Sequence, residues 1–491
     1  MPRNGFAVTQ NISDPRRRDF LQIPACGLIG KDIGLGAAAV ESRPNILLVI
    51  SDDQSWAHTG AAGDPYVRTP AFDRVAHEGV LFTHAFCAAP SCAPSRAALL
   101  TGQEIWRLEQ GANMRSHLPR KFAVYPELLE AAGYQAGYTG KGWGPGLLRS
   151  SGGYAVPDNQ ARDRNPAGDQ YKSFGEFLSR RRAGAPFCFW YGSTNPHRPF
   201  QHDANAAAGR EAALKVPPFL PDCAEVRADL ADYYAEVESF DRELAGLLRA
   251  LDQVGLGGNT VVAVTSDNGM GGFPRAKCNL YDYGVRMPLA IRWPDRVKGG
   301  RVVEDFVSLT DLAPTFLACG GVHAPPETTG SSLLNLLLSG RSGRVEQKRN
   351  RVFTARERHS PTRENGVGYP CRAIRTYDFL CIRNYAVERW PAGDPPGAAD
   401  VDASPTRDYM IRHRDDPRVQ PYFRLAFAKR PAEELYDLKK DPAQMENVAG
   451  HPAYARIQRR LARELDEYLK QTRDPRALGD GSVFDRYPFW G

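Results

Sequence analysis

The 491-residue chain has no CxxC pair and no regular framework among its nine cysteines, which argues against a structural zinc site. The odd count leaves at least one thiol unpaired, and disulfide pairing is not legible in the spacing. No run is long and apolar enough for a mature transmembrane helix, and no internal repeat is visible. Positive charge is not clustered either. Lys and Arg are scattered, and the formal net charge is only +6, so the footprint of a nucleic-acid-binding protein is missing. That balance is compatible with an anionic substrate. What remains is an ordinary globular composition, 42% hydrophobic and 24% charged, long enough for a large core and for two domains, or one with an appendage.

The first 43 residues read as an export leader and linker. Arg16-Arg17-Arg18-Asp19-Phe20-Leu21 has the twin-arginine pattern, and the following apolar stretch ends in small residues at Gly36-Ala37-Ala38-Ala39 that suit cleavage. Lys31 and Asp32 interrupt the stretch, and an uncleaved basic leader would share these features. The expectation is a bacterial protein, periplasmic or secreted. From residue 44 to 345, buried strands alternate with helices. Asn45–Ile50, Pro186–Tyr191 and Thr260–Ser266 are continuous apolar or β-branched runs of the kind found in parallel sheets covered on both faces. Val226, Leu230, Tyr233, Val237, Phe240, Leu244, Leu248 and Leu251 predict a long helix stopped at Gly255. The expected fold is α/β, a mostly parallel sheet between helices. Residues 341–350 read as a polar linker, and residues 391–407 as loop. Residues 346–491 predict a smaller α+β domain with short antiparallel strands, such as Phe379–Tyr385, and a terminal helix near Tyr454–Lys470.

The stretch that organises the chain is Cys92-Ala93-Pro94-Ser95-Arg96, continuing to Leu99-Leu100-Thr101-Gly102. Pro94 suits a first helical turn, which puts Cys92 at a helix N-terminus where free N–H groups favour an anion. Arg96 adds a fixed fork of donors for an oxyanion. A small buried cysteine before an ordinary helix would look the same. Two strand ends add the second half of the pattern. Asp52 and Asp53 follow one buried strand, and Asp267 and Asn268 follow another, where α/β sheets bind ligands. Three carboxylates and an amide oxygen, without Cys or His, make a hard-cation site, for Ca²⁺ first and Mg²⁺ second. Each strand end alone would read as a simple turn.

With these segments, and with Gly140-Lys141, Asn195-Pro196-His197, Lys277 to Pro288 and Glu434-Leu435-Tyr436-Asp437-Leu438, the chain resembles the type I sulfatases of the alkaline-phosphatase superfamily. Leu280-Tyr281 and Tyr369-Pro370-Cys371-Arg372 resemble the heparan N-sulfatase branch. The resemblance implies an alkaline-phosphatase-like fold and a Cys92 oxidised to formylglycine by a maturation enzyme, its hydrate acting as nucleophile. It assigns Arg96, Lys141, His197 and Lys277 to catalysis. Lys141, His197 and Lys277 would also hold the sulfuryl group, with His197 protonating the leaving atom. One position departs: a histidine common two residues after the lysine is Trp143 here, so that either another base serves, Lys141 itself or a nearby histidine such as His58 or His84, or turnover is slow at that step. Specificity is expected in Gln103–Arg120, the loop after Gly144, and Arg356-Glu357-Arg358-His359, whose exposed Arg and His, His359 included, would suit a polyanionic sugar. The substrate implied is a sulfated carbohydrate. The rivals are a phosphonate or phosphodiester monoesterase on the same fold, and a silent relative that binds sulfated glycans.

Overall fold

Strand β1 (Asn45–Ser51) is buried along its whole length. Its side chains alternate between two separate cores, with Ile46, Leu48 and Ile50 in one and Leu47 and Val49 in the other. This two-faced burial is what a continuous apolar strand predicts, and it requires helices on both sides of the sheet. The computed structural model describes residues 43–149, 160–200, 211 and 213–490. The expected twin-arginine leader and part of the loop after Gly144 lie outside the described residues.

Among the described residues the main sheet has nine strands. Besides β1 they are β2 (Val80–Phe86), β3 (Gln135–Gly140), β4 (Asp169–Gln170), β5 (Phe187–Gly192), β6 (Thr260–Ser266), β7 (Arg286–Met287), β8 (Leu289–Arg292) and β9 (Arg301–Ser308). The order is β4-β3-β5-β1-β6-β8-β2-β7, with β9 also pairing β2. The run β4 to β6 is parallel, and β8 is antiparallel to both β6 and β2. One face is covered by α1 (Pro70–Glu78) and by the long helix α4 (Ala224–Gln253). Between these in the chain lie α2 (Cys92–Thr101) and α3 (Tyr125–Ala131), which with α5 (Leu312–Cys319) cover the other face. The eight residues read as the apolar stripe of α4 are all buried.

A second sheet, of antiparallel strands β10 (Arg351–Arg356), β11 (Cys371–Thr376), β12 (Phe379–Asn384) and β13 (Glu433–Asp437), lies beyond residue 350. Helix α6 (Pro405–Arg412) and the terminal α7 (Ala455–Gln471) belong to the same part of the chain. Apolar residues of this second sheet and of α7 join the same continuous core as β1 and α2.

Two polar stretches behave differently from their composition. Residues 341–350, expected as a linker, run along β9: the amides of Val345 and Glu346 donate to buried Asp305, and Arg349 pairs with Asp311 at 2.8 Å. A buried carboxylate must be paired, and this stretch supplies the donors. The irregular segment after residue 391 ends at Ser404, whose hydroxyl accepts from the Arg407 amide and caps α6.

Close approach decides one glycine. A Cβ on Gly192, at the end of β5, would lie 1.7 Å from the Lys141 carbonyl oxygen. Gly192→Ala is expected to destabilise the protein by about 3 kcal/mol and to displace Lys141, read as a lower urea midpoint together with lost activity. A wild-type midpoint would mean that the two strand ends can separate at no cost.

Candidate functional site

Helix α2 begins at Cys92, with Ser91 as N-cap in extended geometry and Gly102 at φ 66° closing the other end. All ten of its residues are buried. Burial follows from position, since the helix starts at the carboxyl ends of β1 and β6, where Asp52, Asp53, Asp267 and Asn268 emerge. The Cys92 Sγ lies 3.6 Å from Asp52 Oδ1 and 4.0 Å from Asp53 Oδ1. Asp53 itself sits at φ 72°, in the left-handed region that is uncommon for a residue with a side chain. Its amide donates to Asp267 Oδ1 at 3.1 Å, and its own Oδ1 accepts from Asn268 Nδ2 at 2.7 Å. Such an unusual backbone persists only where the surroundings over-determine it.

Three cations face these carboxylates. Arg96 Nε donates to Asp267 Oδ2 at 2.8 Å, while its Nη1 donates to the carbonyls of Lys141 and Gly142 at 2.7 and 2.9 Å. Lys141 Nζ donates to Asp52 Oδ2 at 2.5 Å, and Lys277 Nζ to Asp53 Oδ2 at 2.7 Å. The Trp190 indole N–H also donates to the Lys141 carbonyl at 3.0 Å. Arg96 therefore holds the lysine loop as well as the acid cluster. His197, about one-third exposed, turns Nε2 toward Asp53 Oδ2 at 3.9 Å and holds the Arg198 carbonyl with Nδ1.

The charges set the proton affinities. Burial pushes the Asp52 carboxyl upward, but Lys141 and Arg96 outweigh it and leave it below its ordinary value. Burial pulls Lys277 down, and Asp53 with other anions lifts it well above the usual lysine range. Burial also raises the Cys92 thiol well above its usual value, against the pull of Lys141 and Lys277.

The acid cluster meets the requirement for a hard divalent cation. Single ligand atoms of Asp52, Cys92 and Asp267 lie within 4.8 Å of one another, as do those of Asp53, Cys92 and His197. Asn268 Oδ1 is buried and has no hydrogen-bond partner among the described residues. An orphaned amide oxygen beside three carboxylates fits a hard divalent cation.

Asp52 and Cys92 open onto a cleft of about 930 Å³, which is also lined by Lys141, His197, Lys277 and His359, and by Met114, Arg115, Trp143, Asp402 and Phe489. The catalytic and binding residues expected from sequence therefore converge. The expected row of exposed arginines does not. Arg356 pairs with buried Asp400, Glu357 with Arg372 and Arg476, and Arg358 donates to the Tyr487 and Pro488 carbonyls. Buried charges need partners, so these three face inward and only His359 reaches the cleft. His58 pairs with Asp64 among Tyr233, Tyr234 and Tyr283, and His84 packs on Phe306 and Tyr377, so neither stands in at the Trp143 position. Asp402 and Phe489 carry no local sequence signal and were not anticipated. They arrive from an irregular segment and from the tail.

His359 Nδ1 is 2.9 Å from the Ser91 hydroxyl, beside the N-terminus of α2. Burial, with Lys277 and Arg356 adding to it, lowers its pKa to about 4 from 6.5. The unfolded chain takes up this proton near pH 6.5 and the folded chain only near pH 4, so His359 costs stability as pH falls through that window. His359→Gln is expected to flatten the acid limb, read as a smaller difference in urea unfolding free energy between neutral and acid pH.

Comparison with known proteins gives this geometry its context. The chain matches the Sulfatase family over residues 44–322, and the family described as N-sulphoglucosamine sulphohydrolase, C-terminal, over residues 274–394. It is 28% identical to the human N-sulphoglucosamine sulphohydrolase, over 94% of this chain and 96% of the relative. It is 27% identical to an ulvan-active sulfatase of Formosa agariphila, over 89% of this chain and 82% of the relative. A solved structure described as in complex with its substrate D-glucosamine-2-N,6-O-disulfate superposes with a TM-score of 0.61 at 20% identity, covering 91% of this chain and 100% of that one. With its mostly parallel sheet, its separate antiparallel sheet and its Cys92 site, the chain belongs to the sulfatase family, near the sulfamidase branch, and is a sulfuric ester hydrolase of alkaline-phosphatase-like fold.

Proposed function

We propose that the protein removes a sulfuryl group from an O- or N-linked position of a sulfated carbohydrate, with Cys92 converted to formylglycine and a divalent cation held by Asp52, Asp53, Asp267 and Asn268. The observation that carries this reading is the placement of Asp52, Asp53 and Asp267 around Cys92, each paired with Lys141, Lys277 or Arg96, where Cys92, Asp52, Lys141 and Lys277 line one cleft. Ca²⁺, or Mg²⁺ as second choice, would supply the charge that makes a hydroxyl nucleophilic near neutral pH, and the hydrate of formylglycine would supply that hydroxyl. The unmodified thiol is a poor substitute, because burial keeps it protonated.

The chain's own residues take the remaining work. Lys141 and Lys277 stay cationic through their carboxylate partners and bind the sulfuryl oxygens. Arg96 orients the Lys141 carbonyl and balances the charge of Asp267 and Asp52. With Nδ1 held by the Arg198 carbonyl, His197 keeps Nε2 for proton transfer to the departing oxygen or nitrogen. With Trp143 in place of a histidine, and with His58 and His84 engaged elsewhere, Lys141 and His197 are the groups that would accept and return protons after sulfuryl transfer.

The C-terminal family match and the human relative support an N-sulfated glucosamine as the first substrate to test. The ulvan-active relative supports a second panel of sulfated polysaccharides. His359, at the cleft wall, would contact the sugar. Among the described residues no helix is long and apolar enough to cross a membrane, and the Arg16-Arg17-Arg18 pattern supports export to the periplasm or beyond. A formylglycine-generating enzyme is the partner this reading requires.

Protein from the native host should show the Cys92 peptide lighter by roughly 18 mass units, thiol replaced by aldehyde. Cys92 found only as a thiol would sink the hydrate mechanism. Cys92→Ala should lose at least about 10³-fold in kcat with an unchanged melting temperature. Aryl sulfate should be hydrolysed well ahead of aryl phosphate, whereas the reverse order would favour the phosphonate or phosphodiester monoesterase. Binding of sulfated oligosaccharide by modified protein without any sulfate release would mark a silent relative.

A further inference from the structure

Asp402 stands outside the acid cluster yet touches one of its cations, Lys277. Its Oδ2 accepts from Lys277 Nζ at 3.1 Å, so one ammonium lies between two carboxylates, Asp53 and Asp402. Arg96 and Lys141 are each matched by a carboxylate at the strand ends. Asp402 is therefore a fourth carboxylate beside three fixed cations, on the wall of the cleft, and whatever charge a bound divalent ion adds, it makes the site more negative by one unit.

The placement is built. Asp400, two residues before, is buried between Arg356 and Arg363 at 2.5 and 2.6 Å and accepts from the Ser360 amide. Two residues after, Ser404 donates to the Gly272 carbonyl at 2.6 Å. Gly271 leaves the space that the two acids share, since a Cβ there would lie 2.4 Å from Asp53 Oδ2 and 2.9 Å from Asp402 Oδ2. Lys277 pulls the Asp402 carboxyl well below its usual value against the effect of burial, so it is charged at any working pH.

We propose that Asp402 sets the net charge of the anion site, so that the cleft takes a singly charged sulfate ester or sulfamate in preference to a doubly charged phosphate monoester. Both anions are tetrahedral and of similar size, which leaves charge as the property a site can select on. A fixed carboxylate within reach of the bound group repels each unit of anionic charge, so the dianion loses about twice what the monoanion loses. Asp402 is a specificity-determining residue in this account. It reaches the substrate through the field at Lys277 and forms no bond to the reacting atoms. The inference rests on this cleft being the sulfuryl site.

The test uses the full chain as Cys92→Ala, metal-loaded, which binds esters without turning them over. Phenyl sulfate and phenyl phosphate are titrated by calorimetry at about pH 8, where a phosphate monoester is dianionic. Adding Asp402→Asn should tighten phenyl phosphate relative to phenyl sulfate by about tenfold. Asp402→Glu, which keeps the charge, should hold the ratio within about twofold of the parent. An unchanged ratio in Asp402→Asn, with the melting temperature preserved, overturns the role of Asp402 alone. An equal shift in Asp402→Glu also overturns it, because packing would then be the cause. If neither ester binds the parent protein, the cleft is not the anion site, and this inference falls together with the assignment it rests on.

Discussion

The rest of the structure depends on a compensated concentration of charge at the ends of two buried strands. Asp52, Asp53 and Asp267 leave β1 and β6 side by side because those strands are in parallel register, Ser51 opposite Ser266. Three carboxylates at that spacing repel one another and have lost their water. Their burial is tolerable only because Arg96, Lys141 and Lys277 arrive from three other parts of the chain. The same compensation makes the centre chemically useful. It presents fixed cations around Cys92, in a place where low dielectric strengthens each of them.

Positioning is carried by backbone atoms as much as by side chains. Arg96 grips the Lys141 and Gly142 carbonyls, and Trp190 adds a second donor to the first of these. Asn165 brackets Trp143, accepting from its amide and donating to its carbonyl. The lysine loop is thus tied to α2 and to β5 before any ligand enters. The second sheet contributes in a similar way. Its buried ion pairs, Arg356 with Asp400 and Arg372 with Glu357 and Asp474, anchor segments that reach the cleft as His359 and Asp402.

Much of this was legible in the sequence, for identifiable reasons. A strand buried on both faces must be apolar throughout, so β1, β5 and β6 could be read directly. The stripe of α4 and the Pro94 start of α2 are local signals that tertiary contacts did not override. The carboxylates at the strand ends and the Cys92 motif were legible because the chemistry demands particular residue types at fixed offsets. Polar segments were less readable. Residues 341–350 look like a linker because composition does not show that Asp305 will need their amides. Arg356 and Arg358 look like surface charge because no local pattern distinguishes an arginine bound for solvent from one whose partner lies far away in the chain.

The sequence by itself determined the α/β architecture, the helix that begins at Cys92 and the residue types of the acid cluster, because each depends on periodicity or on offsets within a single element. Tertiary structure alone decided which cations pair with which carboxylates, that His359 and not its arginine neighbours reaches the cleft, and that Asp402 joins Asp53 on Lys277. Those outcomes rest on contacts between residues 44 to 268 positions apart in the chain, such as Arg356 with Asp400, Lys277 with Asp402 and Ser91 with His359. No local propensity encodes a contact of that range; the closing of the core around buried charge selects it.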